Sequence, residues 1–197
     1  MKLAVTGAAN CGKTTLVDKL AAELDLPRVD EEFHRIIELR RKNPAPAELF
    51  TLLETILREK QENEAKHPAG FVADRSPVDL FCVLCSYPAL RQFHQRTLDF
   101  MKQARAACTG YDYLIIPPWG NAAYNDLQNY LPGTSLPAMN PWSNLMQHSA
   151  MVGTAIQWLP ADRILLPPAD AINDGQIGQW IASHGDNVPW GDNVRGA

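Results

Sequence analysis

The 197 residues carry 18 Lys and Arg against 22 Asp and Glu, a net charge of −4, with 46% hydrophobic and 20% charged residues. Those proportions fit one soluble globular domain with enough apolar mass for a core. The acidic balance argues against nonspecific nucleic-acid binding, and no apolar run nears the ~20 residues of a membrane span. The opening Met1-Lys2-Leu3-Ala4-Val5 is too short for a secretory signal before a loop begins, so a cytoplasmic location is expected.

Leu3-Ala4-Val5 reads as a strand and leads into Gly7-Ala8-Ala9-Asn10-Cys11-Gly12-Lys13-Thr14. A helix-period segment with Leu16, Val17, Leu20, Ala21 and Leu24 follows. Strand, Gly-x-x-x-x-Gly-Lys-Thr, helix is the context of a phosphate-binding loop. The glycines let successive N–H groups point at a phosphate, at the positive end of the following helix. Lys13 is expected to reach the β- and γ-phosphates of ATP and Thr14 to ligate Mg²⁺, with Thr15 completing the cradle of residues 7–15. Cys11 lies inside the loop, where a helix N-terminus favours a thiolate, so oxidation sensitivity is expected of it.

The short strand Pro27-Arg28-Val29 runs into Asp30-Glu31-Glu32, and a helix follows with Phe33, Ile36 and Ile37 on one face and Arg40-Arg41-Lys42 in its last turn. Asn43-Pro44-Ala45-Pro46 breaks the chain. A long helix then shows Leu49, Leu52, Leu53, Ile56 and Leu57, with Arg58-Glu59-Lys60-Gln61-Glu62 as a more polar end. After Pro68 and Gly70, Phe71-Val72-Ala73 is a buried strand that delivers Asp74-Arg75. Ser76 fits an N-cap, with Pro77 at the first helical position and Asp79 three residues after the cap. Helix is expected from Val78 to Ala107, bent near Pro88; Cys82 and Cys85 lack a second ligand pair and read as core cysteines. Tyr111 to Ile116 is a fourth strand, closed by Pro117-Pro118.

From residue 119 to about 141 the chain turns aromatic and proline-rich, with Trp119, Tyr124 and Tyr130 among few charges. This stretch is expected to be a lid or substrate cap, extended to residue 158 by a helix from Trp142 to Trp158. The lid rings either stack on an acceptor, with Asn121, Asn125 and Asn140 reading its polar edge, or pack the lid itself. A last strand, Arg163-Ile164-Leu165-Leu166, a helix near Ile172 to Ile181 and a loose tail complete a single domain. Alternating strands and helices predict an α/β fold with a parallel sheet.

In such a sheet ligands bind beyond the carboxyl ends of the strands. Three charged groups fall there: the phosphate loop, Asp30-Glu31-Glu32 and Asp74-Arg75. An ionised residue closing an apolar strand is costly unless paired or bound to a metal. Asp74 is therefore expected to hold Mg²⁺ or to accept a substrate proton, and Arg75 to face a phosphate or a neighbouring acid.

The loop, the acid-aromatic-x-Arg element Glu32-Phe33-His34-Arg35 and Asp74-Arg75-Ser76 together resemble the P-loop kinases of nucleosides and nucleotides. The layout is similar to the bacterial nicotinamide riboside kinase type and to related small ATPase domains. The resemblance implies five parallel strands in the order 2-3-1-4-5 with helices on both faces, and an adenine site at Pro168 after the last strand. It also implies ATP with Mg²⁺ as donor and a nucleoside- or nucleotide-like phosphoryl acceptor as partner, with Lys13, Asp74, Glu32, Arg35 and Arg75 as catalytic residues. Nucleic acid and membrane are not expected as partners, and a homodimer is left open. The chain departs from the family in its lid: no Lys or Arg occurs from Ala106 to Asp162, and His148 is the one candidate cation there. Arg35, Arg75, Arg91 and Arg96 are the alternative sources of charge. The competing reading is a nucleotide-dependent ATPase or switch that acts with a protein partner.

Overall fold

A computed structural model describes residues 1–9, 11–30, 32–119, 141–173 and 175–185. In chain order the elements are β1 (Lys2–Val5), α1 (Lys13–Leu24), β2 (Arg28–Val29), α2 (Phe33–Arg41), α3 (Pro46–Ala65), β3 (Phe71–Asp74) and α4 (Pro77–Ser86). A 3₁₀ turn (Pro88–Gln92) precedes α5 (His94–Cys108), β4 (Tyr113–Ile115), α6 (Pro141–Trp158), β5 (Ile164–Leu165), α7 (Ala169–Asn173) and α8 (Ile177–Gly185). The five strands form a parallel sheet in the order β2-β3-β1-β4-β5, as the resemblance implied.

The side-chain alternation of a strand divides the core in two. Leu3, Val5, Val72, Ile115 and Leu165 meet Leu16, Val17 and Leu20 of α1 and Ile172, Ile177 and Ile181 of the last two helices. Their neighbours Ala4, Ala73, Leu114 and Ile164 point the other way, into a larger core built from α2 to α6. Both faces of the sheet are covered, so its strands can be apolar throughout. Polar groups are left to the strand ends, where a ligand can reach them.

Four sequence expectations change. The helix from 78 to 107 is not bent but broken, because Tyr87 takes an extended conformation (φ −102°, ψ 104°) before Pro88, as a residue before proline prefers. Ile37 is exposed, since α2 packs on its Phe33–Ile36 edge. Cys82 is buried but Cys85 is exposed, so only one of the pair is a core cysteine. The final helix divides into α7 and α8, with Gly175 in a left-handed turn between them. The second half of the expected lid is α6, whose Met151, Ala155 and Trp158 join the larger core. Residues 120–140 and the tail from 186, with Asn121, Tyr124, Asn125, Tyr130 and Asn140, lie outside the described residues.

Candidate nucleotide and acceptor site

The register aligns Val5 with Asp74 on β3 and with Ile115 on β4, so the phosphate loop opens beside the end of β3. Two glycines are needed for the loop's shape. Gly12 caps α1 in the left-handed region (φ 80°), and a Cβ on Gly7 would lie 2.8 Å from Cys11 Sγ. Asn10 lies outside the described residues.

Lys13 is 5% exposed, and its Nζ donates to Ala8 O at 2.5 Å, inside the curl of the loop. Burial, and then the positive charge of Arg75, hold its pKa below the ordinary lysine range. An ammonium in that position gains from any anion that enters the loop. The thiol of Cys11 behaves otherwise than expected. Burial raises its pKa more than Lys13 lowers it, and only 2% of the residue is exposed, so the helix end does not make a thiolate there.

Thr14 Oγ1 donates to Asp74 Oδ2 at 2.8 Å. Asp74 is buried and its Oδ1 has no hydrogen-bond partner among the described residues; Arg28 Nη2 stands 4.0 Å from Oδ2. A hydroxyl beside a carboxylate with an unspent oxygen suits Mg²⁺, which takes one or two protein ligands and completes its shell with water and phosphate. No group of three or more His, Cys, Asp or Glu capable of holding a metal ion occurs among the described residues. The Thr14 hydroxyl and the unspent Asp74 oxygen are a donor pair that fits Mg²⁺.

Asp79 ties this edge together. It is fully buried, closes the capping box on Ser76 (3.0 Å from Ser76 N) and accepts from Gly7 N at 3.4 Å. Arg75 Nη1 lies 3.4 Å from the same carboxylate, and its guanidinium stacks on the Phe33 ring with Cζ 4.0 Å from the centroid. The Arg75 backbone has φ 64°, a left-handed conformation that costs a long side chain on the order of 1–3 kcal/mol and that clusters at functional sites. Thr6 and Ser76 hydroxyls are hydrogen-bonded beneath it.

A narrow cleft beside β2 and β3 is lined by Asp30, Glu32, Phe33, Arg75 and Ser76 from the sheet edge, and by Lys60 and Asn63 from α3. Asp30 is engaged by Arg28 Nε at 2.5 Å, while Glu32 pairs with His34 at the longer distance of 3.7 Å. Glu31 lies outside the described residues. Arg35 is turned to Glu59 on α3 and lines a separate open groove between α2 and α3. Arg96 is held by Glu54 at 2.6 Å and by the Phe50 ring, and Arg91 is exposed. Of the four arginines weighed from sequence, Arg75 alone lines the cleft. Pro168 is exposed ahead of α7, and Thr15 is exposed on the first turn of α1.

Helix α6 lies over the loop. Asn144, 1% exposed, donates from Nδ2 to Ala9 O at 3.5 Å, and His148 follows on the same helical face. Burial, and then the charge of Lys13, push the His148 imidazole below its ordinary pKa, and its Nδ1 is buried without a partner among the described residues. The unfolded chain therefore binds the proton more readily than the native protein. This contribution favours folding above the ordinary imidazole range and is lost as pH falls through it. Comparing urea denaturation of the parent and His148→Gln between pH 7.5 and 5.5 checks this. The parent is expected to lose more stability on acidification than the variant, and parallel curves would refute the placement of His148.

Asp79, Lys60, Arg28 and Asn144 were not singled out as site residues from sequence. Asp79 was visible only as a capping residue. Lys60 continues the Leu49-Leu53-Ile56 spacing, a signal masked by its charged neighbours.

Comparison with known proteins bears on the fold and the family. A model of the AAA domain family matches residues 2–128. No curated protein matches the sequence. Among solved structures, deoxyadenosine kinase from M. mycoides with dCMP and dCDP is similar over 95% of this chain and all of its own length, at 15% identity and a TM-score of 0.68. NadR protein in complex with NR is similar over 83% of this chain at 19% identity and a TM-score of 0.57. NadR with NAD and AMP-PNP gives 88%, 17% and 0.57. The chain spans less than half the length of the NadR chains, 42% and 49%. At these identities the likeness establishes the fold, that of the P-loop kinases. With nearly two thirds of its length inside the family model, the chain belongs to the AAA domain family of P-loop proteins.

Proposed function

We propose that the protein is an ATP-dependent phosphotransferase acting on a hydroxyl of a nucleoside-like small molecule. The observation that carries this reading is the meeting of two sets of groups at one sheet edge. Lys13, the loop amides and the Thr14–Asp74 pair form the donor side, and a cleft bearing Glu32, Asp30, Phe33 and Arg75 opens beside them. A domain that only binds and releases nucleotide has no use for the second set. The fold shared with deoxyadenosine kinase and NadR supports the same reading.

Thr14 and Asp74 would hold Mg²⁺, which would supply positive charge to offset that of the phosphates. Lys13 binds the β- and γ-phosphates, a role supported by its ammonium lying inside the curl of the loop. Glu32 accepts the proton of the acceptor hydroxyl, having a weaker intramolecular partner than Asp30. Arg75, fixed between Phe33 and Asp79, stabilises charge developing on the transferred group. Arg35 serves instead to hold α2 against α3 through Glu59. No helix among the described residues is long and apolar enough to cross a membrane.

The family match to AAA domains keeps an ATPase or switch as the second reading. Measuring ADP release with and without a panel of nucleosides separates the two. The expected result is release that depends on one acceptor class, with the phosphorylated product seen by mass spectrometry. A rate that no acceptor changes, with inorganic phosphate as the sole product, would favour the ATPase.

A further inference from the structure

The 18 residues of α6 include no Asp, Glu, Lys or Arg, and His148 is the one side chain there that can carry a charge near neutral pH. Residues 144, 148, 151 and 155 share one stripe of the helix by their spacing. At one end of the stripe Asn144 is buried against the phosphate loop, with Nδ2 3.5 Å from Ala9 O. At the other end Met151 and Ala155 enter the larger core. His148 therefore turns inward, between the loop and the core. Its Nδ1 is buried and has no hydrogen-bond partner among the described residues. A histidine placed for stability alone would be hydrogen-bonded, because an unsatisfied buried nitrogen costs free energy in the empty protein.

The charged and titratable groups on the surrounding elements are Cys11 and Lys13 at the loop, Asp79 and Cys82 on α4, and Arg75 after β3. Of these, Lys13 is the one whose charge bears on the imidazole, and it adds to burial in keeping the ring neutral. Two cations over an empty loop repel each other. An anion set between them reverses the sign, since each then stabilises the same charge. The loop amides and Lys13 hold a polyphosphate from one side only, and from Ala106 to Asp162 the sequence has no Lys or Arg for the other. Building on the donor half of the reading above, we propose that His148 binds the donor phosphates from the α6 side as an imidazolium, taking a proton from solvent onto the ring as the nucleotide enters. No other bond forms or breaks in this step. A neutral ring spares the empty protein a second cation beside Lys13, which a permanently charged arginine could not do.

Calorimetric binding of MgATPγS between pH 8 and pH 6, in buffers of different ionisation heat, tests this on the parent, His148→Gln and His148→Arg. Phosphate stabilises the protonated ring, so the parent's affinity should rise about three- to tenfold as pH falls, with net proton uptake on binding. His148→Gln should show a flatter profile and less uptake, and His148→Arg should keep the parent's low-pH affinity at pH 8. An unchanged profile and uptake in His148→Gln would overturn the proposal. Titration of the parent's imidazole resonances by NMR decides the matter even if a variant fails to fold. One ring should titrate at higher pH with MgATPγS bound than without it, and the absence of such a ring would overturn the proposal. Proton-linked binding lost in His148→Gln, with no acceptor phosphorylated by ATP, would uphold the role of His148 and reject the kinase reading. Phosphorylation of an acceptor by a parent whose nucleotide affinity ignores pH would uphold the kinase and overturn this proposal. No binding of MgATPγS at any pH would overturn both.

Discussion

Lys13→Ala is expected to cost the protein most of its nucleotide affinity while leaving the ligand-free fold as stable as before, or more so. Lys13 is buried, its charge is opposed by Arg75, and its own hydrogen bond goes to a carbonyl of the loop it occupies. Removing it relieves an unfavourable charge, and it deprives a phosphate of a charge-assisted donor worth about 1.5–3 kcal/mol, a ten- to hundredfold change in affinity. In the parent, MgATP at about 100 times its Kd should add about 2.7 kcal/mol, or roughly 5–10 °C in Tm for a chain of this size. The variant should keep at most about half of that shift at the same concentration. Undiminished calorimetric binding by Lys13→Ala would mean that phosphates do not lie in this loop.

The largest stability effect should come from Asp79→Ala. One buried carboxylate there accepts from Ser76 N and Gly7 N and pairs with Arg75. Truncation removes a charged partner of Arg75, leaves two backbone donors without this acceptor and removes the capping box of α4. Breaking a buried pair by deleting one partner costs about 3–5 kcal/mol, a large part of the roughly 5–15 kcal/mol that holds a domain folded. Urea denaturation should show a lower midpoint with an unchanged slope. Asp79→Asn, which retains one carbonyl acceptor, should fall between parent and alanine. A loss below about 1 kcal/mol in Asp79→Ala would show that the carboxylate is not the tie the geometry describes.

How much of this could be read in the sequence depended on how local each signal is. The phosphate loop is contiguous, and its glycines, lysine and threonine are needed at fixed spacing, so its residues were legible. Strand order was different: nothing in the spacing of Val29, Ala73 and Ile115 says which strands are neighbours, and only the resemblance supplied it. The break at Tyr87 was legible in kind but not in degree, because a proline can bend a helix or end it. Partners drawn from distant elements were the least legible. Arg35 and Arg75 both follow strand ends, and only the packing of α2 on α3 turns Arg35 to Glu59 and leaves Arg75 over Phe33. Lys60 was lost among charges that face solvent, although its position in the helical repeat was there to be counted.

The sharing of Asp79 between Gly7 and Arg75 has a further meaning for how the two halves of the site communicate. Gly7 belongs to the phosphate loop and Arg75 lines the neighbouring cleft, and both lean on one carboxylate. A ligand that draws Gly7 N–H or Arg75 toward itself alters what the carboxylate can give to the other. Occupancy of one half must then change the affinity of the other by some factor, and linkage requires that factor to be the same in both directions. On the proposed function, the two substrates would be coupled through a residue that need touch neither of them.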